Sequence, residues 1–233
     1  MKKLARSSGA LACMVNSEIG AVLAVMRRNA RWAGRYMGGD ADQMEHSLVY
    51  SLKALRRSMF NWSQPWPKIN PSLYLTPFLD VIRSDETGAP ITGVALSAIY
   101  KILVLEVFDP FTAHVAEAIH DIVDAVTSCR FEVTDLASEE VVLMKILQVL
   151  VAIMKHSASD LLSDHDVCLV VNTCFRVVHQ AVSKGELLQR TARHSMHEIV
   201  RTIFAHLPDL DSSLKLLMSS GCGSHEVHIR FIK

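Results

Sequence analysis

The feature that most constrains this sequence is SEEVVLMKILQVLVAIMK, Ser138–Lys155, which is apolar almost all the way round. Ser138 suits a helix N-cap, Glu139 and Glu140 then sit at the positive end of the helix dipole, and Lys155 with His156 closes the other end. Between these caps, Lys145, Gln148, Ala152 and Lys155 leave only a narrow polar stripe at helical spacing. Burial stabilises each large side chain by roughly 1.5–3 kcal/mol, whereas ordering the backbone costs about 1–2 kcal/mol per residue. Such a helix therefore needs neighbours on most sides and reads as the core of a larger helical assembly. A membrane span is excluded, because Lys145 and Gln148 interrupt a run already short of the ~20 residues a bilayer requires.

The rest of the chain supplies those neighbours. Half of the 233 residues are apolar, Gly and Pro are sparse, and no sustained alternation marks a strand; the expectation is all-α. Formal charge is zero overall but unevenly spread. Residues 1–66 hold ten Lys and Arg against four acids, so a basic front precedes an acidic body, a distribution suited to electrostatic docking. The five cysteines, Cys13, Cys129, Cys168, Cys174 and Cys222, show no CxxC or zinc-like spacing and fit reduced thiols in a cytoplasmic protein.

Read in order, residues 1–14 are expected to be disordered and residues 15–207 to form one helical domain. Its first part is a basic hairpin, 15–62. One helix runs to about Tyr36 with Arg27, Arg31 and Arg35 four apart; a second runs from about Asp42 to Trp62 with Leu48, Leu52, Leu55 and Met59 at core spacing. Residues 63–71 carry three prolines and read as a linker separating that hairpin from the main stack, 72–207. In the stack, helices are expected from Pro71 to Ser84, from Pro90 to Val107 and from Phe111 to Ser128. The central helix follows, then helices at 164–183 and 186–207. Residues 208–233 lose periodicity and are expected to be poorly ordered. Antiparallel pairs at intervals of roughly forty residues suggest an irregular armadillo/HEAT-like α-solenoid.

No motif for catalysis stands out, and neither a cofactor nor a metal is expected. His194, His197 and Glu198 share a helix turn but lack an identifiable third ligand, and solvated surface is the preferred reading. His114 and His120 fall on different faces, and Cys168 and Cys174 sit among apolar residues where cysteine packs as a small hydrophobe. Phosphate-loop, dinucleotide-binding and nucleophile-elbow patterns are absent. Two surface features remain. Arg27, Arg28, Arg31 and Arg35 form a candidate contact for an anionic membrane, with nucleic acid not expected as a partner. Lys101 interrupts an otherwise apolar helix and must reach water or an acid; Glu140 is the candidate partner, within the chain or across a self-association interface.

Three blocks, PFLDVIRSDETGAPITGVALSAIYKIL, CRFEVTDLASEEVVLMKILQVL and LLQRTARHSMHEIVRTIF, together with SEIGAVLAVMRRNARW, run in continuous order between about Asn16 and Pro208. They closely resemble the N-terminal dimerisation and cyclophilin-binding domain of the plant GNOM-type large Arf guanine-nucleotide exchange factors. The resemblance implies a cytoplasmic protein, peripheral on Golgi or endosomal membranes and acting in vesicle-mediated transport. It also implies self-association as a homodimer or with full-length family members, contact with the following upstream homology domain and, in some members, binding of a cyclophilin. Exchange activity in the family resides in a later Sec-seven domain, so this span is expected to be a regulatory, non-catalytic module. It is expected to be a fragment, a truncated gene model or a short paralogue, and a truncated product would be expected to interfere with full-length exchange factors. A membrane-binding role for the basic hairpin is the alternative reading.

Overall fold

The computed structural model describes residues 8–29, 32, 45–131 and 135–219, with side chains through residue 205. Among these residues the regular structure is helical. The α-helices are α1 (Ser8–Arg28), α2 (Ser47–Ser58), α3 (Ser72–Arg83), α4 (Ala89–Val104), α5 (Val115–Thr127), α6 (Leu136–Lys155), α7 (Asp164–Ala181) and α8 (Glu186–Ser219). Short 3-10 turns at Met59–Asn61, Trp66–Lys68 and Ser159–Leu161 punctuate the connections.

The helices form two layers. In one layer α1, α4, α6 and α8 lie side by side; in the other α2, α3, α5 and α7 do the same, and each helix also packs on its chain neighbour in the opposite layer. From α3 onward the helices of each layer run parallel, α3 with α5 and α7, and α4 with α6 and α8, whereas α2 is antiparallel to α3: His46, the N-cap of α2, meets Glu86 just past the end of α3. Gly93 at the start of α4 abuts Val142 and Lys145 of α6, while Leu103 and Val104 at its end share a groove with Val151 and Lys155. Glu139 and Glu140 meet Lys184 and Gly185 just before α8, and Lys155 at the far end of α6 meets Glu198. In the other layer, His120 of α5 faces Asp166 of α7, and Arg176 reaches the carbonyl of Thr127. The antiparallel hairpins α3–α4, α5–α6 and α7–α8, stacked side by side, give the α-solenoid architecture expected from the spacing.

One apolar core runs through the stack from Leu11 to Ile199. α6 is its centre, with Val142, Leu143, Ile146, Leu147, Val149, Leu150 and Ile153 buried. Its polar stripe differs from expectation by a fraction of a turn: Ala152 is buried, and Val141, two turns before the exposed Gln148, is exposed with it. The N-cap is Asp135, three residues before Ser138, and its carboxylate accepts hydrogen bonds from the amide and hydroxyl of Ser138 at 2.8 and 2.6 Å. A carboxylate accepting two bonds at the positive helix end outcompetes a lone hydroxyl.

Several boundaries move. α1 begins at Ser8, so residues 8–14, expected to be disordered, are helical because Leu11, Ala12 and Val15 bury against the core. α1 is also the one described helix long and apolar enough to cross a membrane by length and composition, yet Val15, Ile19, Val22 and Met26 pack into the core. At the other end α8 continues past Leu207 to Ser219, where Leu210, Leu214 and Leu217 maintain helical spacing beyond Pro208. α4 stops at Val104, and Glu106, with φ 45°, turns the chain; the left-handed His114, φ 57°, delays α5 to Val115. α3 accommodates Pro77 without interruption.

The proline-rich segment is no spacer. Trp66 and Ile69 are buried, Trp66 packing between Trp62 and Tyr74 at centroid distances of 5.6 and 5.2 Å. The front hairpin is therefore continuous with the main stack and shares its core.

Candidate interaction surfaces

Lys101, near the end of α4, points to the outer side of its layer, and the neighbour it meets is α1. Its ammonium donates to both carboxylate oxygens of Glu18 at 2.7 and 2.9 Å. The Glu18 side chain is 8% exposed and that of Lys101 51%, so a buried carboxylate is neutralised by a half-solvated cation. Glu140 is elsewhere: its Oε1 accepts from the Gly185 amide at 2.7 Å, tying the N-terminal part of α6 to the start of α8. A side chain at residue 185 would collide with this carboxylate, its Cβ falling 2.8 Å from Glu140 Oε2. The parallel packing explains why the expected intrachain partnership of Lys101 with Glu140 fails. Lys101 lies eight residues beyond Gly93 and Glu140 lies before Val142, a separation on the order of 15 Å along the axis at 1.5 Å per residue.

Between these ends, the outer face of the α1–α4–α6–α8 layer mixes apolar and cationic groups. Tyr100, Val104 and Val141 are exposed. A groove of about 480 Å3 runs between α4, α6 and α8, lined in part by Tyr100, Gln148, Val151, Lys155 and His194. Lys145 lies half-buried on this face and donates to the hydroxyl of Ser97. Burial, with Lys101 as a second cation nearby, lowers its pKa from the usual lysine value. Lys155 is matched by Glu198, whose carboxyl the hydrogen bond from Lys155 holds below its ordinary value.

A second surface lies on the last hairpin of the stack among the described residues. On α7 the side turned away from α5 carries Val167, Val171, Phe175 and Val178, with Val182 just past its end; on α8 the side turned away from α6 carries Met196, Val200, Ile203 and Phe204. Phe175, Val182 and Phe204 are 56%, 74% and 63% exposed. Internal repeats bury such flanks against the next hairpin.

The basic front is partly visible. Arg27 and Arg28 end α1 exposed, as do Arg56 and Arg57 at the end of α2, while Arg31 and Arg35 fall outside the described residues. The other polar candidates are structural. His120 Nδ1 lies 2.7 Å from Asp166, whose carboxylate also completes a capping box with Ser163. Burial raises the Asp166 pKa, but the bonds from Ser163 and His120 outweigh it and leave the group below the usual aspartate value. Burial pushes the thiols of Cys129 and Cys174 up to about 12 and about 11, away from reactivity. His194 and His197 are exposed, and no grouping of three or more metal-ligating side chains occurs among the described residues. Sequence reasoning missed Glu18, Lys184 and the flank on α7 and α8; Glu18 was detectable only as an acid inside an apolar helix.

Comparison with known proteins accords with this architecture. Residues 49–208 match the model of the Mon2/Sec7/BIG1-like, dimerisation and cyclophilin-binding domain. The ARF guanine-nucleotide exchange factor GNOM of Arabidopsis thaliana is 69% identical over 209 residues, covering 90% of this chain. The exchange factor GNL1 of the same plant is 67% identical over 202 residues, or 87% of the chain. ARF guanine-nucleotide exchange factor 1 of Saccharomyces cerevisiae is 28% identical over 168 residues. The chain spans 14% of the length of the two plant relatives and 12% of the yeast one. With the model covering most of the helical stack, the chain belongs to the family of Mon2/Sec7/BIG1-like dimerisation and cyclophilin-binding domains.

Proposed function

We propose that this chain is a non-catalytic regulatory and self-association module of a large Arf guanine-nucleotide exchange factor, serving vesicle-mediated transport as a peripheral component of Golgi or endosomal membranes. The observation that carries this reading is the 69% identity to GNOM across 90% of the chain but 14% of GNOM, in the segment whose family description is dimerisation and cyclophilin binding. Its partners are then a second copy or a full-length relative, the upstream homology domain and a cyclophilin.

The surfaces support a division of labour. The outer α4–α6–α8 face is the candidate for self-association. Lys101 and Glu140 lie at opposite ends of that layer, so a two-fold axis through its middle would bring Lys101 of one copy toward Glu140 of the other. The apolar flank of α7 and α8 is the candidate for the helices that follow in longer relatives. A free short chain carrying the first surface would pair with full-length exchange factors and interfere with them.

Two differently tagged copies mixed and purified through one tag test the pairing: recovery of both supports it, and recovery of one alone contradicts it. Adding the chain to an Arf GTPase loaded with fluorescent nucleotide should leave release at the background rate; clear acceleration would contradict the non-catalytic reading. The exposed Arg27, Arg28, Arg56 and Arg57 favour one further role, contact with anionic lipid.

A further inference from the structure

A cyclophilin acts on a peptide bond preceding proline, and to engage a folded partner it must reach that bond without unfolding it. The proline ring enters an apolar pocket of the isomerase while the residues before it lie extended across the surface, so both sides of the bond must be in water.

The chain has seven prolines, and six fail this requirement. Pro71 is buried at the start of α3, and Pro77 is buried inside it. Pro90 lies in the first turn of α4 behind the buried Ala89, and Pro208 lies within α8. Pro67 follows Trp66, which is 3% exposed and wedged between two aromatic rings. Asp109 and Pro110 are both half-buried, and the Asp109 carboxylate closes that turn by accepting from the Phe111 amide at 3.0 Å and the Thr112 hydroxyl at 3.1 Å.

Gln64–Pro65 meets it. Ser63, Gln64 and Pro65 are all exposed, and Pro65 is extended, with φ −63° and ψ 143°. Beside the bond lies a groove of about 480 Å3, lined by residues that include Trp62, Gln64, Lys68, Leu73 and His114. Leu73 is 57% exposed there, and Phe60, one turn before the segment, is 55% exposed. The buried Trp66 anchors the chain immediately after the proline, so the segment is presented on a fixed base.

We infer that Gln64–Pro65 is the prolyl bond through which this domain is held by a cyclophilin, with Trp62 and Leu73 packing against the rim of the isomerase pocket. The inference rests on the reading of a cyclophilin as a partner and adds its point of contact.

The test is a calorimetric titration of the full chain with a purified single-domain cytosolic cyclophilin, with and without cyclosporin A in its prolyl pocket. Wild type should bind and be displaced by cyclosporin A. Pro65→Ala should weaken binding by about tenfold or more, as for a residue that fills the partner's central pocket; Pro110→Ala should bind within about twofold of wild type. Equal binding by wild type and Pro65→Ala would overturn the assignment while leaving the partnership intact. Failure of wild type to bind would overturn the partnership itself. Hydrogen exchange on the unmutated complex gives a readout independent of any variant's folding: protection should centre on residues 61–68, and protection confined elsewhere would overturn the assignment.

Discussion

Lys101 Nζ lies 2.7 and 2.9 Å from the two carboxylate oxygens of Glu18, joining α4 to α1 across 83 residues of sequence. The contact fastens the first helix to the stack and gives Lys101 a structural duty inside one chain. Removing the cation strands a carboxylate that is 8% exposed. Lys101→Met should therefore destabilise the fold by about 1–3 kcal/mol, less than for a fully buried pair because Lys101 is half in water. Urea unfolding measures the loss, and the double variant with Glu18→Gln should recover part of it. Equal stability of Lys101→Met and wild type would show that the ion pair contributes nothing. Any effect of Lys101→Glu on self-association must consequently be compared with its effect on folding.

Lys145 presents the opposite case, a cation that the fold tolerates poorly. Its folded-state pKa lies below the unfolded 10.5, so its charge costs stability at neutral pH, and that cost fades as pH rises through the folded value. Lys145→Met keeps the length of the side chain and should raise stability by about 1 kcal/mol, or 2–4 °C in Tm for a chain of this size. A lowered Tm would show that the bond to Ser97 outweighs the desolvation.

Asp166 sets an acid limit. Its folded-state pKa is depressed below 3.8, so its contribution is fully present above that value and is lost as pH falls through it toward the folded-state pKa. Asp166→Asn should lower stability at neutral pH by about 1 kcal/mol, the worth of a helix cap, and flatten the acid limb below about pH 4. Thermal melts from neutral pH to pH 2 test both effects; an unchanged acid limb would assign it to other carboxylates.

The arginine cluster predicts a salt-sensitive lipid contact. Vesicles containing phosphatidylserine should float the chain at low ionic strength and release it in 0.5 M salt, where the Debye length is only about 4 Å. Arg27→Glu with Arg28→Glu should reduce flotation without altering the helical circular dichroism. Binding indifferent to salt and lipid charge would contradict the electrostatic role.

What the sequence made legible was local, and what it hid was pairwise. The inner face of α5, Val115, Ala118, Ile119, Ile122, Val123 and Val126, follows directly from helical periodicity and is buried throughout. So is the inner stripe Leu48, Leu52, Leu55 and Met59 of the second helix and its 3-10 extension. The destination of Lys101 was not legible, because two acids could answer it and only the parallel run of α4 and α6 removes Glu140 from reach. Composition marked residues 63–71 as a linker, but one tryptophan with two aromatic neighbours is enough to dock the segment. The flank on α7 and α8 escaped notice because Val171, Phe175 and Val178 read as core until α5 is seen to occupy the other side of the helix.

Sedimentation equilibrium of the purified chain over a wide concentration range tests the central claim most directly. Self-association through this domain predicts a weight-average mass approaching twice the 25.9 kDa of one chain, falling toward 25.9 kDa only on strong dilution. A mass fixed at 25.9 kDa at every concentration would contradict the self-association module.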